Sequence, residues 1–368
     1  MKFIICGGGT GGHVTPAIAI YEALKEKMPT ASFTFIGRKN GRENKAYVET
    51  GEKLLTLNMT GINGKSPLKM AEGVFSAAKA FIDASRIIKS EKANAVIGTG
   101  GYVSWPVLTA AQAKGVPSFI HESNAYPGLT TRLVSRNATC VMLNYAEAEK
   151  RIKNKKNVSI VGNPIRKDFW SISRRLARKK LGLRDTDFFI LSFGGSLGSE
   201  KLNEAVIDFM KLYSAKNKNV KHLHATGHSY YSELTEKDRD TLSLKSGCMV
   251  VPYVDCMAEA MHAADLVICR CGAMTLSEIC AVGVASILIP SPNVSDNHQL
   301  KNGTFMSEHG AAILIEENEL NARRLLDAVR GIENNPEKRH SLASNAKALA
   351  CDNASKKIAD AIIGRMNL

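Results

Sequence analysis

The chain has 368 residues, of which 44% are hydrophobic and 23% charged, and a formal net charge of +14. That length exceeds what one hydrophobic core usually organises, and the composition excludes disordered, fibrous and low-complexity classes. No run reaches the roughly 18–20 apolar residues of a spanning helix, no signal-peptide pattern opens the chain, and eight cysteines without a C-x-x-C pair read as reduced thiols of a cytoplasmic protein.

The first strand, "KFIIC" (2–6), feeds "GGGTGGH" (7–13), a glycine loop with a histidine at its end. Val14, Ile18, Tyr21, Leu24 and Met28 then recur at helical steps, with Pro16 expected in the first turn. Strand-length runs follow at 32–37, 53–58, 94–98, 117–121, 139–144 and 158–162, several separated by helical stretches. Strand alternating with helix predicts a parallel sheet covered on both faces. At "FFILSFGGSLGSEKLNEAV" (188–206) the pattern starts again, and runs at 220–227, 248–254, 265–270, 285–290 and 311–315 complete a second set. The chain therefore reads as α/β: two doubly wound halves joined near "VGNPIRKDFW" (161–170), with ligands held at the carboxyl ends of both sheets. The tail "ASKKIADAII" is helical and could return to either half.

Gly7, Gly9 and Gly12 match the dinucleotide fingerprint G-x-G-x-x-G. The acidic ribose-binding residue expected some twenty positions on is replaced by Arg38, which leaves only an NADP-type reading and does not account for His13. Three further stretches, "GTGGYVSWP" (98–106), "HESNAYPG" (121–128) and "GGSLGSEKLN" (194–203), also stand at strand ends. Glycine lets backbone N–H groups approach phosphate oxygens there. Four such loops in two halves imply a long ligand set bearing more than one phosphate group. "CRCGAMTLSE" (269–278) makes a strand, a turn and a helix in which Glu278 is either a capping group or a ligand-facing carboxylate. "SDNHQLKN" (295–302) is either a solvated turn or a reader of sugar hydroxyls.

In this order and over essentially the whole chain, these motifs resemble the MurG family of peptidoglycan N-acetylglucosaminyltransferases. Its members are UDP-N-acetylglucosamine:N-acetylmuramyl-(pentapeptide) pyrophosphoryl-undecaprenol N-acetylglucosaminyltransferases. The resemblance implies a GT-B fold, two Rossmann-like domains facing across a cleft, and inverting transfer of GlcNAc from UDP-GlcNAc to lipid I, giving lipid II. It implies an acceptor domain over 1–163, a UDP-GlcNAc domain over 164–340, and a C-terminal helix, about 341–368, packed back on the first. Thr10, Gly11, Gly12 and Tyr102 would receive the acceptor diphosphate, and His121, Glu122 and Asn124 would line the cleft. Arg166 and Ser196 would serve the nucleotide and its phosphates, Val254 the uracil, Glu278 the ribose, and Ala273, His298, Gln299 and Asn302 the sugar. Trp105, Thr131 and His298 depart from the family pattern, which has glycine, asparagine and glutamine there.

For the base the candidates are His13, at a helix N-terminus that favours a neutral imidazole, and Glu122. Alternatively His13 only hydrogen-bonds the acceptor phosphates. Arg270 or Arg166 would help neutralise the leaving diphosphate. The pairs Asp185/Asp187 and Asp238/Asp240 mimic a metal-holding D-x-D, but the first precedes its strand and the second lies in a polar segment. No metal or other cofactor is expected. A UDP-GlcNAc 2-epimerase, another glycolipid glycosyltransferase and an NADP-dependent oxidoreductase are the alternatives.

Charge is uneven: residues 1–163 hold 22 Lys+Arg against 11 Asp+Glu, and the remainder 27 against 24. With no nucleic-acid-binding motif, this favours an anionic membrane surface or an anionic ligand over nucleic acid. The expected location is peripheral, at the cytoplasmic face of the cell membrane. The residues alone favour a core-facing apolar side for the helix within 64–89. The resemblance, whose family has its membrane patch on this helix, implies a contact through Phe75, Ala78, Phe81 and Leu68, beside Lys65, Lys69 and Lys79.

Overall fold

The structure is a computed structural model that describes residues 1–366 apart from 10, 42, 60–66, 196, 236–241 and 243–246. It divides into two compact units, Met1–Ile165 with Cys351–Leu368, and Arg166–Ala350.

Among its described residues unit 1 carries seven strands: β1 (Lys2–Cys6), β2 (Ser32–Arg38), β3 (Lys53–Leu57), β4 (Ala95–Gly98), β5 (Ser118–Glu122), β6 (Cys140–Leu143) and β7 (Val158–Ile160). All pair in parallel, in the order β3-β2-β1-β4-β5-β6-β7. Apolar runs such as "FIIC" suit this sheet because helices bury both faces. Ile4, Cys6, Ile36 and Val96 pack to one side, and Phe3, Ile5, Phe35 and Ile97 to the other. The chain order reverses between β1 and β4, so the crevice opens where the glycine loops of 7–9 and 99–101 leave those strands.

Unit 2 repeats the plan with β8 (Phe188–Phe193), β9 (Val220–Ala225), β10 (Cys248–Val251), β11 (Leu266–Arg270), β12 (Ala285–Ile289) and β13 (Ile313–Leu314). The order is β10-β9-β8-β11-β12-β13, again parallel, with the reversal between β8 and β11.

Three local expectations change. The first helix is Gly11–Lys27, so His13 lies inside its first turn and Pro16 beyond it. The tail is two helices rather than one return helix: Pro336–Ala348 belongs to unit 2, and only Ala354–Gly364 joins unit 1. Ile358, Ala359 and Ile362 anchor that last helix in the core beside Ile20 and Leu24. On helix Pro67–Glu91, Phe81 turns toward the core, whereas Ile82 stands out with Phe75, Ala78 and Lys79. Lys65 and the side chains of Leu68 and Lys69 lie outside the described residues.

Candidate functional site

In unit 1 two glycine loops interlock. Gly101 has φ +77, and a Cβ there would meet the Gly8 carbonyl oxygen at 2.1 Å, so the loops can touch only through glycine. His13 is wedged between them. Its Nδ1 lies 3.1 Å from the Gly8 oxygen, and Thr99 Oγ1 donates to the His13 carbonyl at 2.6 Å. A carbonyl only accepts, so Nδ1 carries the hydrogen and, in the neutral ring, Nε2 carries the lone pair. Tyr102 is half-buried over Gly9, and desolvation raises its phenol pKa. Thr10 lies outside the described residues; Gly11 and Gly12 open the helix.

Two residues that the sequence reading passed over support this loop. Buried Tyr47 donates to the Gly7 carbonyl at 2.7 Å, and the buried Glu43 carboxylate lies beneath Gly8. Both belong to the six-residue helix Glu43–Val48, too short for a helical period to single out.

Glu122 ends β5 and is 5% exposed, with all its accepting capacity in use. Oε1 takes Asn124 N–H at 3.0 Å and Asn124 Nδ2 at 2.9 Å, while Oε2 takes Gly128 N–H at 2.9 Å and Thr131 Oγ1 at 2.6 Å. This carboxylate ties the 122–131 loop together, and Thr131 fits as one of its donors. His121 is fully buried rather than facing an opening, and its Nε2 donates to Gly162 O at 2.9 Å. Burial lowers its pKa, which keeps it a neutral prop for that turn. Trp105 packs against the core, so its bulk is absorbed there.

Unit 2 holds its own loop pair. A Cβ at Gly198, φ +76, would come within 1.9 Å of Thr226 O, and Asn203 Nδ2 ties down the same carbonyl at 2.8 Å. Ser196 lies outside the described residues. Arg270, at the end of β11, is 8% exposed and engaged on every side. It donates to Ser199 Oγ, to Ile289 O at 3.4 Å and Pro290 O at 3.1 Å, and pairs with Glu317. These contacts fix the loop ahead of helix Glu200–Leu212 rather than leaving a guanidinium for a ligand.

Helix Ala273–Val282 starts from Gly272, which caps it without a side chain. Glu278, its sixth residue, is no cap and stays partly accessible. Desolvation pushes its carboxyl up to about 7; Arg166 pulls it down and Asp168 pushes it up. Arg166 is exposed, 3.6 Å from Asp168 and over the Phe169 ring. Val254 and Ala273 are buried. Gln299 Oε1 accepts from Ser291 N–H at 2.9 Å, and buried Asn302 donates to Cys271 O at 3.3 Å, so both brace the strand ends. His298 begins helix His298–Glu308 after two left-handed residues, Asp296 and Asn297.

Asp187 closes on Arg184 before β8; burial opposes its ionisation, but the Arg184 bonds outweigh this and lower its pKa. Asp238 and Asp240 lie outside the described residues. Among the described residues no three His, Cys, Asp or Glu side chains gather closely enough to hold a metal.

Comparison with known proteins adds the following. Residues 3–143 match the glycosyltransferase family 28 N-terminal domain, and residues 189–362 its C-terminal domain. The chain is 38% identical, over 97% of its length and 98% of the relative's, to a protein of Thermoanaerobacter sp. (strain X514). That protein is named UDP-N-acetylglucosamine–N-acetylmuramyl-(pentapeptide) pyrophosphoryl-undecaprenol N-acetylglucosamine transferase. The crystal structure of Acinetobacter baumannii MurG superposes with a TM-score of 0.77 at 26% identity, covering 99% of each chain. A UDP-GlcNAc 2-epimerase from Neisseria meningitidis, bound to UDP-GlcNAc, shares the fold at 12% identity and a TM-score of 0.66, over 99% of this chain and 100% of the other.

Proposed function

This chain belongs to glycosyltransferase family 28, and from that premise we propose that it is an inverting hexosyltransferase. It moves GlcNAc from UDP-GlcNAc to the muramyl sugar of lipid I, giving lipid II for peptidoglycan synthesis. The observation that carries this reading is the full-length likeness to relatives named for that transfer.

In the reaction the acceptor hydroxyl oxygen attacks the anomeric carbon, the bond from that carbon to the UDP oxygen breaks, and UDP departs with the electron pair. The hydroxyl proton goes to His13 Nε2, which the Gly8 bond at Nδ1 leaves as the basic nitrogen. Glu122 is the weaker candidate, because four donors already occupy it. It acts as a positioning residue for Asn124, and His121 positions the Gly162 turn. The N–H groups of the Gly7–Gly12 loop and Tyr102 receive the acceptor diphosphate. Glu278, ionised, accepts the ribose hydroxyls, Val254 meets the uracil through its backbone, and Arg166 and Ser196 hold the UDP phosphates. His298, Gln299, Asn302 and Ala273 surround the sugar, and Arg270 fixes Ser199 behind them.

A lipid-linked acceptor requires work at a bilayer. No helix among the described residues is long and apolar enough to cross one. The basic acceptor half, with Phe75, Ile82 and Lys79 exposed on one helix, docks peripherally on the anionic cytoplasmic face of the cell membrane. The test is a transfer assay with UDP-GlcNAc and a short-chain lipid I analogue. Stoichiometric UDP and disaccharide product are expected; UDP-GlcNAc turnover without glycosylated acceptor would overturn the reading.

A further inference from the structure

Arg38 is the residue that the NADP alternative rested on, and the proposed transfer leaves it without a role. It ends β2, whose register pairs Ile36 with Cys6 of β1, so Arg38 flanks the glycine loop leaving β1. Its guanidinium carbon lies 5.9 Å from the centre of the Tyr102 ring, and that ring covers Gly9. Among the described residues no carboxylate pairs with the guanidinium, and its buried Nε has no hydrogen-bond partner. The neighbouring carboxylate of Glu43 spends Oε1 on the backbone N–H of Arg38 itself, at 2.9 Å.

A buried donor left without an acceptor is costly, and here it belongs to a half-buried guanidinium that no carboxylate pairs among the described residues. Glu43 meanwhile puts a negative charge under the loop that is to receive a diphosphate. A cation on the rim offsets that charge, and the planar fork of arginine matches phosphate oxygens. We propose that Arg38, laid over Tyr102, is a further anion-binding residue of the Gly7–His13 loop and takes a phosphate oxygen of the diphosphate on the acceptor. This rests on the reading that the loop receives the acceptor. It makes Tyr102 a platform that holds the guanidinium at the loop, in addition to covering Gly9.

Arg38→Met keeps the apolar stem on Tyr102 and removes the charge; Arg38→Lys keeps the charge and loses the fork. In the lipid I analogue assay, Arg38→Met should raise the acceptor KM about tenfold or more, as expected for one charge-assisted hydrogen bond. Saturated kcat and the UDP-GlcNAc KM should stay within about twofold, and Arg38→Lys should recover part of the loss. Calorimetry with inorganic pyrophosphate and the donor-free protein should show weaker binding to Arg38→Met. An unchanged acceptor KM and pyrophosphate affinity in that variant would overturn the proposal. So would a joint loss of Tm, kcat and donor affinity, which would mark Arg38 as a packing residue, or NADPH binding that disappears with Arg38. If the wild-type protein transfers no sugar, the transferase reading fails, while the pyrophosphate titration still decides whether Arg38 binds anions.

Discussion

The two crevices have the same backbone plan and opposite chemistry behind it. In unit 1 the helix leaving the glycine loop carries an imidazole in its first turn, oriented by Gly8, while the nearby carboxylate Glu122 is saturated with donors. In unit 2 the arginine at the loop is the saturated group, and the carboxylate Glu278 is the perturbed one, held near neutrality by desolvation. A doubly wound sheet supplies phosphate-binding loops wherever its strand order reverses. Which loop moves a proton and which holds a nucleotide depends on the side chain that is left with chemistry to do.

The largest effect expected from this asymmetry is confined to unit 1. His13→Ala should lower kcat by ~10²–10⁴-fold, as for loss of a general base, with UDP-GlcNAc affinity unchanged in calorimetry. Glu122→Gln should act differently, because an amide cannot accept from four donors at once. It should cost about 1–3 kcal/mol of stability, visible as a lower Tm, with a smaller loss of turnover than His13→Ala. A Glu122→Gln variant of normal Tm whose turnover is as low as that of His13→Ala would transfer the role of base to Glu122.

Acid should damage unit 2 first. Ser192 Oγ sits 2.8 Å from His222 Nε2 and 2.9 Å from His224 Nδ1, all buried between β8 and β9. Burial lowers His224 to about 4, and burial together with His224 lowers His222 well below its ordinary value. Their unfolded values lie near 6.5, so the stability they contribute is complete above that pH and is lost as pH falls toward 4. For His224 the loss is about 3 kcal/mol at the acid end. Glu278 works in the opposite sense: its raised value costs stability as pH rises from the ordinary carboxylate range through about 7. One of the two tryptophans falls in each unit, Trp105 and Trp170, so Trp105→Phe and Trp170→Phe variants report the units separately. Fluorescence-detected urea unfolding should show the Trp170 signal weakening from pH 7 to 5 more than the Trp105 signal, and His224→Leu should reduce that difference. Equal pH slopes for both probes would overturn the account.

Much of this was legible in the sequence, and the exceptions have a common cause. Each of the thirteen strands among the described residues falls, to within one residue, inside a strand-length run read in the sequence, most of them apolar because the sheets are buried on both faces. The glycine loops and His13 could also be read, since turn chemistry is local. Arg270 and Glu122 looked available for catalysis because their partners, Pro290, Glu317 and Thr131, meet them only in the fold. Glu43 and Tyr47 carried no signal, being polar or aromatic residues on a helix of six. Phe81 and Ile82 are adjacent in sequence, and which one faces outward was settled by packing, not period.

A smaller effect concerns the nucleotide. If Glu278 accepts ribose hydroxyls, only its ionised form serves, and its carboxyl titrates at about 7. UDP affinity should therefore fall as pH drops from 8 to 6, and Glu278→Gln should bind more weakly by about 10- to 100-fold and lose that dependence. The same variant should steepen the acid loss of unit 2 stability, because the opposing carboxyl is gone. A wild-type UDP affinity that is flat with pH would separate Glu278 from the nucleotide.

The smallest expected effect sets one exposed apolar surface against another. In unit 2, Leu197 at 72% and Tyr253 at 50% exposure are the sequence neighbours of Ser196 and Val254, which the proposed reading gives to the nucleotide, so that a bound donor would cover them. In unit 1, Phe75 at 76% and Ile82 at 49% stand one above the other, seven residues apart on helix Pro67–Glu91, with Ala78 and Lys79 between them. Nothing proposed for the acceptor headgroup reaches that helix face; a bilayer would. Burying one large apolar side chain is worth about 1.5–3 kcal/mol, and one lysine near an anionic surface about 1 kcal/mol. Phe75→Ser should accordingly weaken binding to phosphatidylglycerol-containing vesicles about tenfold or more, and Lys79→Ala about fivefold. Wild-type binding should fall as salt rises, and its excess over Lys79→Ala should shrink with it, since the Debye length falls from about 10 Å at 0.1 M to 3 Å at 1 M. UDP affinity should not move in either variant. Vesicle binding that survives both substitutions would mean that the basic half of the molecule meets the membrane on another face.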